Sequence, residues 1–392
     1  MSNLKKVLIL GGGFAGMDTA IHLRKEKYEV TLVSDRDYFY IYPTSIWVPT
    51  GKASFQDVCI DLKDLQKAHG FELVVDGVCN IDAKKRSVTL KSGKCLSGYD
   101  YIVVAVGAGK MKPKGVEHTL SICGVPEHSV EIGERLEELM KKGEGRIAFG
   151  FGANPKDSSA VRGGPGFELL FNVDNMLRKR GLREKFELTM FAPMEKPGAR
   201  LGEKSLAAIE KMFKRSKVSK HFGKKIKGFE EDGVVFEDET KIESDLTLFI
   251  PAGDGHELVK ASELPVNEAG FIIINDYCEV QGYEDIFAVG DVAAIEGPQW
   301  RAKQGHLAEA MAKNTAFNII AKDKGLHERK GYQEHLNIMC MMDSGDGAGF
   351  AFRDDNKSFM IPLPIFGHWI KRGWGKYCRL SKLGKIPRIP GM

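Results

Sequence analysis

Short apolar runs separated by glycine-rich turns dominate the first hundred residues. Lys6 to Leu10 is a short apolar strand, and Gly11 to Gly16 is a glycine turn. Ala15 to Lys25 has the composition of a helix, and Tyr28 to Val33 reads as a second strand. A strand, a tight turn, a helix and a second strand form the opening unit of a parallel α/β sheet.

The same alternation of buried strands and helices continues through most of the chain. Further predicted strands are Tyr99 to Val106, one opening at Arg146, Phe186 to Phe191, Phe271 to Asn275 and Ile286 to Val289, with helices at Phe167 to Lys179 and Leu307 to Ile320. We therefore expect an α/β protein with two Rossmann-like dinucleotide-binding domains and a C-terminal membrane-association segment. The first domain comprises residues 1–115 and 262–325, the second residues 116–261, and the C-terminal segment residues 326–392.

Length and composition fit this division. A chain of 392 residues and 43.4 kDa exceeds the usual size of one domain. No apolar run approaches the roughly 20 residues that span a bilayer, and the N-terminus lacks the pattern of a secretory signal. These features favour a cytoplasmic protein. The seven cysteines include no C-x-x-C pair, so neither a disulfide framework nor a bound metal is expected.

The positive charge of the chain is concentrated near its C-terminus. The net charge is +4, yet Asn356 to Met392 carry eight Lys or Arg and no acid, which leaves the remainder at −4. Aromatic and aliphatic residues recur there at spacings of three and four, and basic residues fall mostly between them: Phe366, Trp369, Ile370, Trp374, Tyr377 and Leu380, with Lys371, Arg372, Lys376, Arg379 and Lys382. This pattern predicts a basic amphipathic helix at a membrane surface. The alternatives are a helix docked on the protein's own core or on a partner. Nothing else in the sequence supports nucleic-acid binding.

The glycine turn has the spacing of a dinucleotide-binding site. In G-x-G-x-x-G, Gly11 permits the tight turn, Gly13 lets the backbone approach a pyrophosphate, and Gly16 lets the helix pack against the strand. The pyrophosphate then lies at the positive end of the helix. Asp35 follows nineteen residues after Gly16, where an acid can accept from ribose hydroxyls, and Ser34 at the strand end can share that contact.

Two more segments favour FAD as the nucleotide. Tyr99 to Ala108 is a buried strand that ends in small residues, and Asp285 to Ile295 is a strand that ends in Gly290-Asp291. With the glycine turn, they resemble the three FAD motifs of the pyridine nucleotide-disulfide oxidoreductase superfamily. In that superfamily the acid at Asp291 accepts from the ribityl chain, whereas a helix N-cap is its ordinary structural role. The resemblance implies these cofactor-binding residues: Gly11, Gly13, Phe14, Ala15, Gly16, Ser34, Asp35, Arg36, Pro43, Ala105, Gly107, Gly290, Asp291 and Lys303.

The second predicted dinucleotide turn is degenerate. After the strand opening at Arg146 the chain reads Gly150-Phe151-Gly152-Ala153-Asn154-Pro155, so the third glycine of the motif is absent. Pro155 falls where the phosphate-binding helix is expected to begin, a position at which proline is tolerated. We predict that NADH is not the electron donor.

Three longer stretches resemble sulfide:quinone oxidoreductases and the related flavocytochrome c sulfide dehydrogenase flavoproteins. They are Val30 to Lys52, Gly164 to Gly181 and Trp300 to Ile319. The resemblance places Lys303 beside the pyrimidine end of the flavin, where a cation stabilises the anionic reduced form, and Glu168 near the quinone. The ordinary alternatives are a solvated lysine at a helix start and a surface or N-cap glutamate.

Family members oxidise sulfide with two cysteines at the flavin, through thiol–disulfide exchange. The resemblance assigns Cys340 to the C-terminal cysteine and Cys123 to an accessory cysteine, with His128 as a possible base. The central cysteine is missing, since Pro155 to Gly163 contains none and instead holds Ser158, Ser159 and Arg162. Either Cys123 has become the partner of Cys340, or the substrate is not sulfide. A buried apolar thiol is the ordinary role for Cys340.

The resemblance therefore implies an FAD-dependent oxidoreductase. Its non-covalent FAD carries electrons from sulfide or another reduced sulfur compound to a quinone, at the cytoplasmic side of the cell membrane, in a protein that can form a homo-oligomer. One alternative is an enzyme like the type II NADH:quinone dehydrogenases. Another is a non-catalytic flavoprotein subunit of a redox complex, which the missing cysteine favours.

Overall fold

A computed structural model describes residues 4–389. Its first sheet consists of five parallel strands in the order β20-β9-β1-β2-β5. They are β1 (Lys6–Leu10), β2 (Glu29–Ser34), β5 (Glu72–Val75), β9 (Tyr101–Val104) and β20 (Ile286–Ala288). Helices α1 (Phe14–Lys25) and α8 (Gly305–Asp323) pack against each other beside this sheet. The late strand β20 returns to the first sheet, as the sequence predicts.

A second parallel sheet, of four strands, has the order β13-β12-β11-β17. Its strands are β11 (Gly145–Phe151), β12 (Phe186–Ala192), β13 (Ser219–Phe222) and β17 (Leu246–Ile250). The accompanying helices are α4 (His128–Lys142), α5 (Gly164–Lys179) and α6 (Glu203–Arg215). Both sheets have the parallel, helix-covered architecture of dinucleotide-binding domains. The predicted domain boundaries stay predictions.

Small sheets and short helices complete the fold, and of these elements the sequence analysis predicted only β19, which lies within the strand expected at Phe271 to Asn275. Two are three-stranded antiparallel sheets: β6 (Val78–Asp82), β7 (Ser87–Leu90) and β8 (Cys95–Leu96), and β14 (Ile226–Glu230), β15 (Gly233–Phe236) and β16 (Lys241–Glu243). The two-stranded pairs are β3 (Tyr38–Tyr40) with β4 (Cys59–Asp61), β10 (Gly109–Lys110) with β18 (Gly253–Asp254), and β19 (Ile272–Ile273) with β21 (Ala293–Ala294). Short helices are α2 (Tyr42–Ser45), α3 (Leu62–His69) and α7 (Glu257–Lys260).

The C-terminal segment is an antiparallel sheet followed by a long helix. The sheet is β22 (Ile338–Asp343), β23 (Gly347–Arg353) and β24 (Ser358–Pro364), and the helix is α9 (Phe366–Lys382). Strand β22 lies against α5, and α9 crosses the sheet. A Cβ on Gly367 would lie 2.6 Å from the Cβ of Ala348, so this close crossing requires glycine. Within residues 4–389, no helix has both the length and the apolar composition of a bilayer span.

Candidate functional site

In the first glycine turn the outer two glycines are tightly packed against backbone atoms, whereas the middle glycine has free space beside it. Gly11 has a φ of +114°, and a Cβ there would lie 2.3 Å from the carbonyl oxygen of Ala105. A Cβ on Gly16 would collide with the carbonyl oxygen of Gly11. At Gly13, by contrast, no described atom lies within 4 Å of the Cβ position. The turn therefore leaves room for a ligand at Gly13, as a pyrophosphate-binding turn must.

The residues predicted to hold the ribose lie at the end of β2. The Ser34 side chain is buried, and its hydroxyl accepts from the backbone N–H of Arg36 at 3.3 Å. The Asp35 carboxylate is exposed and lies 3.6 Å from the Arg36 guanidinium. Pro43 is in the first turn of α2, in the same stretch of chain. Asp35 and Ser34 are thus both available at the sheet edge where nucleotides bind.

The two later predicted flavin segments converge on the glycine turn. Ala105 follows β9 and contacts both Gly11 and Gly16. Gly290 follows β20, and a Cβ there would lie 3.0 Å from the Cβ of Ala15. Gly107 has a φ of +76° and, like Gly13, has no described atom within 4 Å of its Cβ position. Three segments far apart in sequence therefore meet at one edge, with open backbone at two glycines, and this arrangement fits an FAD.

Asp291 forms an ion pair that the sequence analysis did not anticipate. Its carboxylate pairs with the guanidinium of Arg162, and both side chains are about one-quarter exposed. Arg162 comes from the stretch where the resemblance calls for the central cysteine. A basic residue on that stretch consequently reaches the carboxylate predicted to hold the ribityl chain.

Lys303 is a buried cation rather than a solvated lysine, since only 6% of its surface is exposed. Its ammonium donates to the carbonyl oxygen of Ala293 and lies 4.0 Å from the ring centre of Phe271. Burial lowers the pKa of Lys303 to about 7. A buried ammonium that pairs with a carbonyl oxygen is suited to stabilising negative charge on a neighbouring group.

The second turn differs in the structure from the strand, glycine turn and helix start of the first. After β11 the chain runs through residues 152–163 with one short 3₁₀ turn, Ser158–Ala160, and α5 begins only at Gly164. The prediction that Pro155 stands at the start of this helix is wrong. Pro165 occupies the first turn of α5 instead, because proline there loses no intrahelical hydrogen bond.

Cys340 lies in β22, against the start of α5. Its sulfur is 3.8 Å from the position that a Cβ would take on Gly164. The pKa of the Cys340 thiol is raised to about 12, chiefly by burial and also by Glu168, while Lys371 opposes the shift. Cys340 packs against the same apolar core that contains the buried Cys123. All seven cysteines are free thiols in this structure.

Cys123 is buried in the chain segment that precedes α4, where the predicted base lies. Burial raises the pKa of its thiol, whereas Lys110 and Arg162 lie close enough to oppose that shift. His128 begins α4, and its Nδ1 is buried without a hydrogen-bond partner among the described residues. No described hydrogen bond joins His128 to Cys123. The role of His128 as a base stays a prediction.

Glu168 is buried in α5 and forms an ion pair with Lys371 of α9. The surface or N-cap alternative for this glutamate is therefore wrong. Lys371 also donates to the carbonyl oxygen of Met341 at 3.1 Å. Burial raises the pKa of Glu168 to about 7, although the Lys371 ammonium opposes the shift. This carboxyl can gain and lose a proton near neutral pH.

A second buried pair, which the sequence analysis missed, lies next to the first. The Asp343 carboxylate of β22 is 2.6 Å from Nδ1 of His368, in the first turn of α9. Asn172 joins the two pairs, because its side-chain amide donates to the Glu168 carbonyl at 2.9 Å and to Asp343. We call Glu168, Lys371, Asp343 and His368 the proximal cluster. Nothing in the sequence indicated the pair between His368 and Asp343, because the strand β22 that carries Asp343 was not predicted.

The tail helix forms as predicted, but its basic residues divide between protein and solvent. The prediction that all of them face an anionic surface is wrong for Lys371 and Lys382, which are buried, and Arg379 donates to the carbonyl oxygen of Cys59 at 2.6 Å. Arg372 and Lys376 are exposed. Five large apolar residues at the end of β24 and the start of α9 are exposed, and we call them the apolar edge: Ile361, Ile365, Phe366, Trp369 and Ile370.

Comparison with known proteins places these features in context. Residues 5–312 match the sequence profile of the family described as pyridine nucleotide-disulphide oxidoreductase. The chain is 30% identical to a sulfide-quinone reductase of Aquifex aeolicus, over 95% of this chain and 90% of that protein. It is 25% identical to a type II NADH:quinone oxidoreductase of Staphylococcus epidermidis, over 90% of each. The crystal structure of the Aquifex aeolicus sulfide:quinone oxidoreductase superposes with a TM-score of 0.86 at 27% identity, covering 97% of this chain and 92% of that one.

Proposed function

The chain belongs to the pyridine nucleotide-disulphide oxidoreductase family, and on this premise we propose that it carries electrons from a reduced sulfur compound, through FAD, to a quinone. It is an oxidoreductase that resembles sulfide:quinone reductases, and family membership implies a flavin. The observation that carries the proposal is the position of Cys340. Its thiol lies between the start of α5 and the buried Glu168–Lys371 pair, within the part of the fold that the sulfide-quinone reductase shares.

FAD, when bound, supplies two-electron transfer between a sulfur donor and a quinone. The open backbone at Gly13 would receive the pyrophosphate, and Asp35 with Ser34 would hold the ribose. Asp291 would accept from the ribityl hydroxyls. Lys303 would keep positive charge at the pyrimidine end, which favours the reduced, anionic form. No cysteine lies between Tyr38 and Thr50, where the cytochrome-linked relatives attach their flavin, so binding is non-covalent. Release of all the flavin by acid precipitation tests this point.

The donor side differs from the ordinary two-cysteine arrangement. The residue that reaches toward Asp291 from the 152–163 segment is Arg162, not a thiol. Cys340, with Cys123 as its candidate partner in the same core, would form the disulfide that the sulfur donor attacks. That attack releases one cysteine as a thiolate, and two electrons would pass to the bound flavin when the bridge forms again. For this reason the proposal names sulfide or another reduced sulfur compound as the donor.

A type II NADH:quinone oxidoreductase is the second candidate, because such enzymes match 90% of the chain. The segment 152–163 argues against it. An irregular loop replaces the short glycine turn and helix start that would bind the NADH phosphates.

Membrane association follows from the apolar edge. Phe366 is 73% exposed and Trp369 is 62% exposed, with Arg372 and Lys376 exposed on the same helix. Aromatic side chains flanked by cations are typical of segments that lie in a bilayer interface. We propose that the edge docks the protein on the cytoplasmic side of the cell membrane, where a quinone can enter.

Anaerobic titration of the holoprotein tests the donor. The visible flavin band is followed while sulfide, a small thiol or NADH is added to the wild type, to Cys340→Ser and to Cys95→Ser, whose thiol is exposed and distant in the chain. We expect a sulfur donor to bleach the wild type and Cys95→Ser but not Cys340→Ser, with no response to NADH. Equal bleaching of all three by sulfide would remove Cys340 from the reaction. Rapid bleaching by NADH alone would favour the second candidate.

A further inference from the structure

His368 and Asp343 form an oriented pair at the boundary between the protein interior and the apolar edge. Nδ1 of His368 lies 2.6 Å from Oδ2 of Asp343. The Asp343 side chain has no exposed surface, whereas 13% of the His368 side chain is exposed. The imidazole is therefore held from the inside and accessible from the outside.

The surroundings of Asp343 fix the orientation of the imidazole. Its other oxygen, Oδ1, accepts from the backbone N–H of Gly345 at 2.8 Å, from the indole N–H of Trp47 at 3.3 Å and from the amide of Asn172 at 3.2 Å. Because these donors occupy Oδ1, Oδ2 is left for His368, whose Nδ1 must donate. Among the described residues no hydrogen bond is made to His368 Nε2. A histidine whose Nδ1–H is held by a carboxylate presents Nε2 as a proton donor or acceptor.

Two aromatic side chains and a buried ion pair surround the imidazole, as expected at a site where a quinone accepts electrons. Its ring centre lies 5.4 Å from that of the buried Trp47 and 6.0 Å from that of Trp369, on the apolar edge. One helical turn further on α9 is Lys371, paired with Glu168. The pair thus lies between the surface proposed to meet the membrane and the buried carboxyl of α5.

We propose that His368, oriented by Asp343, delivers a proton to the quinone. This proposal rests on the quinone reduction proposed above. Conversion of a quinone to its quinol consumes two electrons and two protons. The electrons and one proton come from oxidation of the sulfur donor. The other proton leaves Nε2 of the His368 imidazolium for a quinone oxygen, and Nε2 then takes a proton from the medium.

Charged groups from several elements lie around this pair. Lys371 of α9 pairs with Glu168 of α5. Lys52 donates to Asn172 at 2.9 Å, and the Arg372 guanidinium lies 6.0 Å from the ring centre of Trp47. Burial lowers the pKa of Lys52 to about 8.

A purely structural role does not require histidine at this position. Three donors already satisfy Oδ1 of Asp343, and α9 is held elsewhere by ion pairs of its C-terminal end. An amide side chain could donate to Oδ2 equally well. Histidine differs from asparagine or glutamine in being able to change its protonation state between pH 5 and 8.

The test separates proton transfer from electron transfer. Holoprotein is reduced anaerobically with dithionite, which makes the result independent of the natural donor. It is then mixed in a stopped-flow instrument with a short-chain quinone analogue or with ferricyanide, which takes up electrons without protons. We expect His368→Asn to slow flavin reoxidation by the quinone at least tenfold, and to leave reoxidation by ferricyanide within twofold. Imidazole in the buffer should restore part of the quinone rate in His368→Ala.

Three outcomes would overturn the proposal. The first is a quinone rate of His368→Asn equal to that of the wild type. The second is equal slowing of reoxidation by the quinone and by ferricyanide, which would indicate a displaced α9. The third is a wild type that reduces ferricyanide but no quinone. In that case quinone is not the acceptor, and the proposed function has failed rather than the role of His368 alone. The exposed His327→Asn serves as the matched control, and His368→Gln replaces His368→Asn if the latter does not retain flavin.

Discussion

Two buried ion clusters hold the two ends of α9, and they differ in what surrounds them. At the C-terminal end, Lys382 pairs with Asp18 of α1 and Glu309 of α8, and Arg388 pairs with the same two acids. We call these four residues the distal cluster. The proximal cluster lies at the other end, against Cys340 and beneath the apolar edge.

In the distal cluster, attraction between opposite charges outweighs burial at Asp18 and at Lys382. Burial raises the pKa of Asp18, but the attraction of Lys382 and Arg388 outweighs burial and lowers it. Burial likewise lowers the pKa of Lys382, and its two acids reverse the shift and raise it. At Glu309, by contrast, burial prevails and raises the pKa of the carboxyl, although Lys382 and Arg388 oppose the shift. In the proximal cluster burial prevails at Glu168, whose pKa of about 7 allows a proton to be exchanged. Similar residue types thus serve anchoring at one end and proton exchange at the other.

The largest effect is expected from Lys382→Met. This change leaves Asp18 and Glu309 with one cation in a buried site, so the free energy of unfolding should fall by about 3–5 kcal/mol. Urea unfolding of the holoprotein measures it, with the exposed Lys376→Met as the control on the same helix. A loss below about 1 kcal/mol would contradict an anchoring role for the distal cluster.

Glu168→Gln should remove the part of the pH dependence of stability that comes from the proximal cluster. The folded protein raises the pKa of Glu168 above its ordinary value of 4.5 to about 7. A raised pKa contributes stability that is complete below the unfolded value and is lost as pH rises through the folded value. Between pH 4.5 and 8 the wild type should therefore lose on the order of 3 kcal/mol relative to Glu168→Gln. Thermal unfolding of both proteins across this range measures the difference, and parallel profiles would contradict it.

Lys303→Met tests whether a buried cation outside both clusters acts on the flavin. Loss of positive charge at the pyrimidine end disfavours the anionic reduced form, so the midpoint potential should become more negative. We expect a shift on the order of 30 mV, about 1.4 kcal/mol for two electrons. Dye-equilibrated reduction of the bound flavin measures it. An unchanged potential would place Lys303 in a structural role alone.

The smallest effect is expected at the apolar edge. Trp369→Ser removes an exposed indole and leaves the ion pairs of both clusters in place, and should weaken binding to anionic vesicles about fivefold, or roughly 1 kcal/mol. Vesicle co-sedimentation measures the affinity. The free energy of unfolding should be unaffected. Leu326→Ser, at an exposed residue far along the chain, is the control. If it weakens vesicle binding as much as Trp369→Ser does, the apolar edge is not the contact surface.

The parts of the fold that follow from local pattern were predictable from sequence. Strand β1, the glycine turn and α1 are encoded within 25 consecutive residues, and their apolar period and glycine spacing suffice. The helix predicted at Leu307 to Ile320 runs from Gly305 to Asp323 for the same reason. Helix ends were less well placed, since capping is not visible in periodicity alone.

The interactions that were missed join residues distant in sequence. Lys382 and Asp18 are 364 positions apart, and the tail lysine looked like a solvated cation because nothing near it indicated an acidic partner. Arg162 with Asp291, and His368 with Asp343, are long-range in the same way. The sheet β22–β24 was missed because its strands are rich in glycine, methionine and proline, which are weak strand formers.

Sulfide-dependent reduction of a quinone by the purified holoprotein tests the central claim most directly. The account predicts that sulfide or a small thiol drives quinol formation, at one quinol per two electrons donated, and that NADH does not. Quinol formation with NADH and none with any sulfur donor would contradict the account.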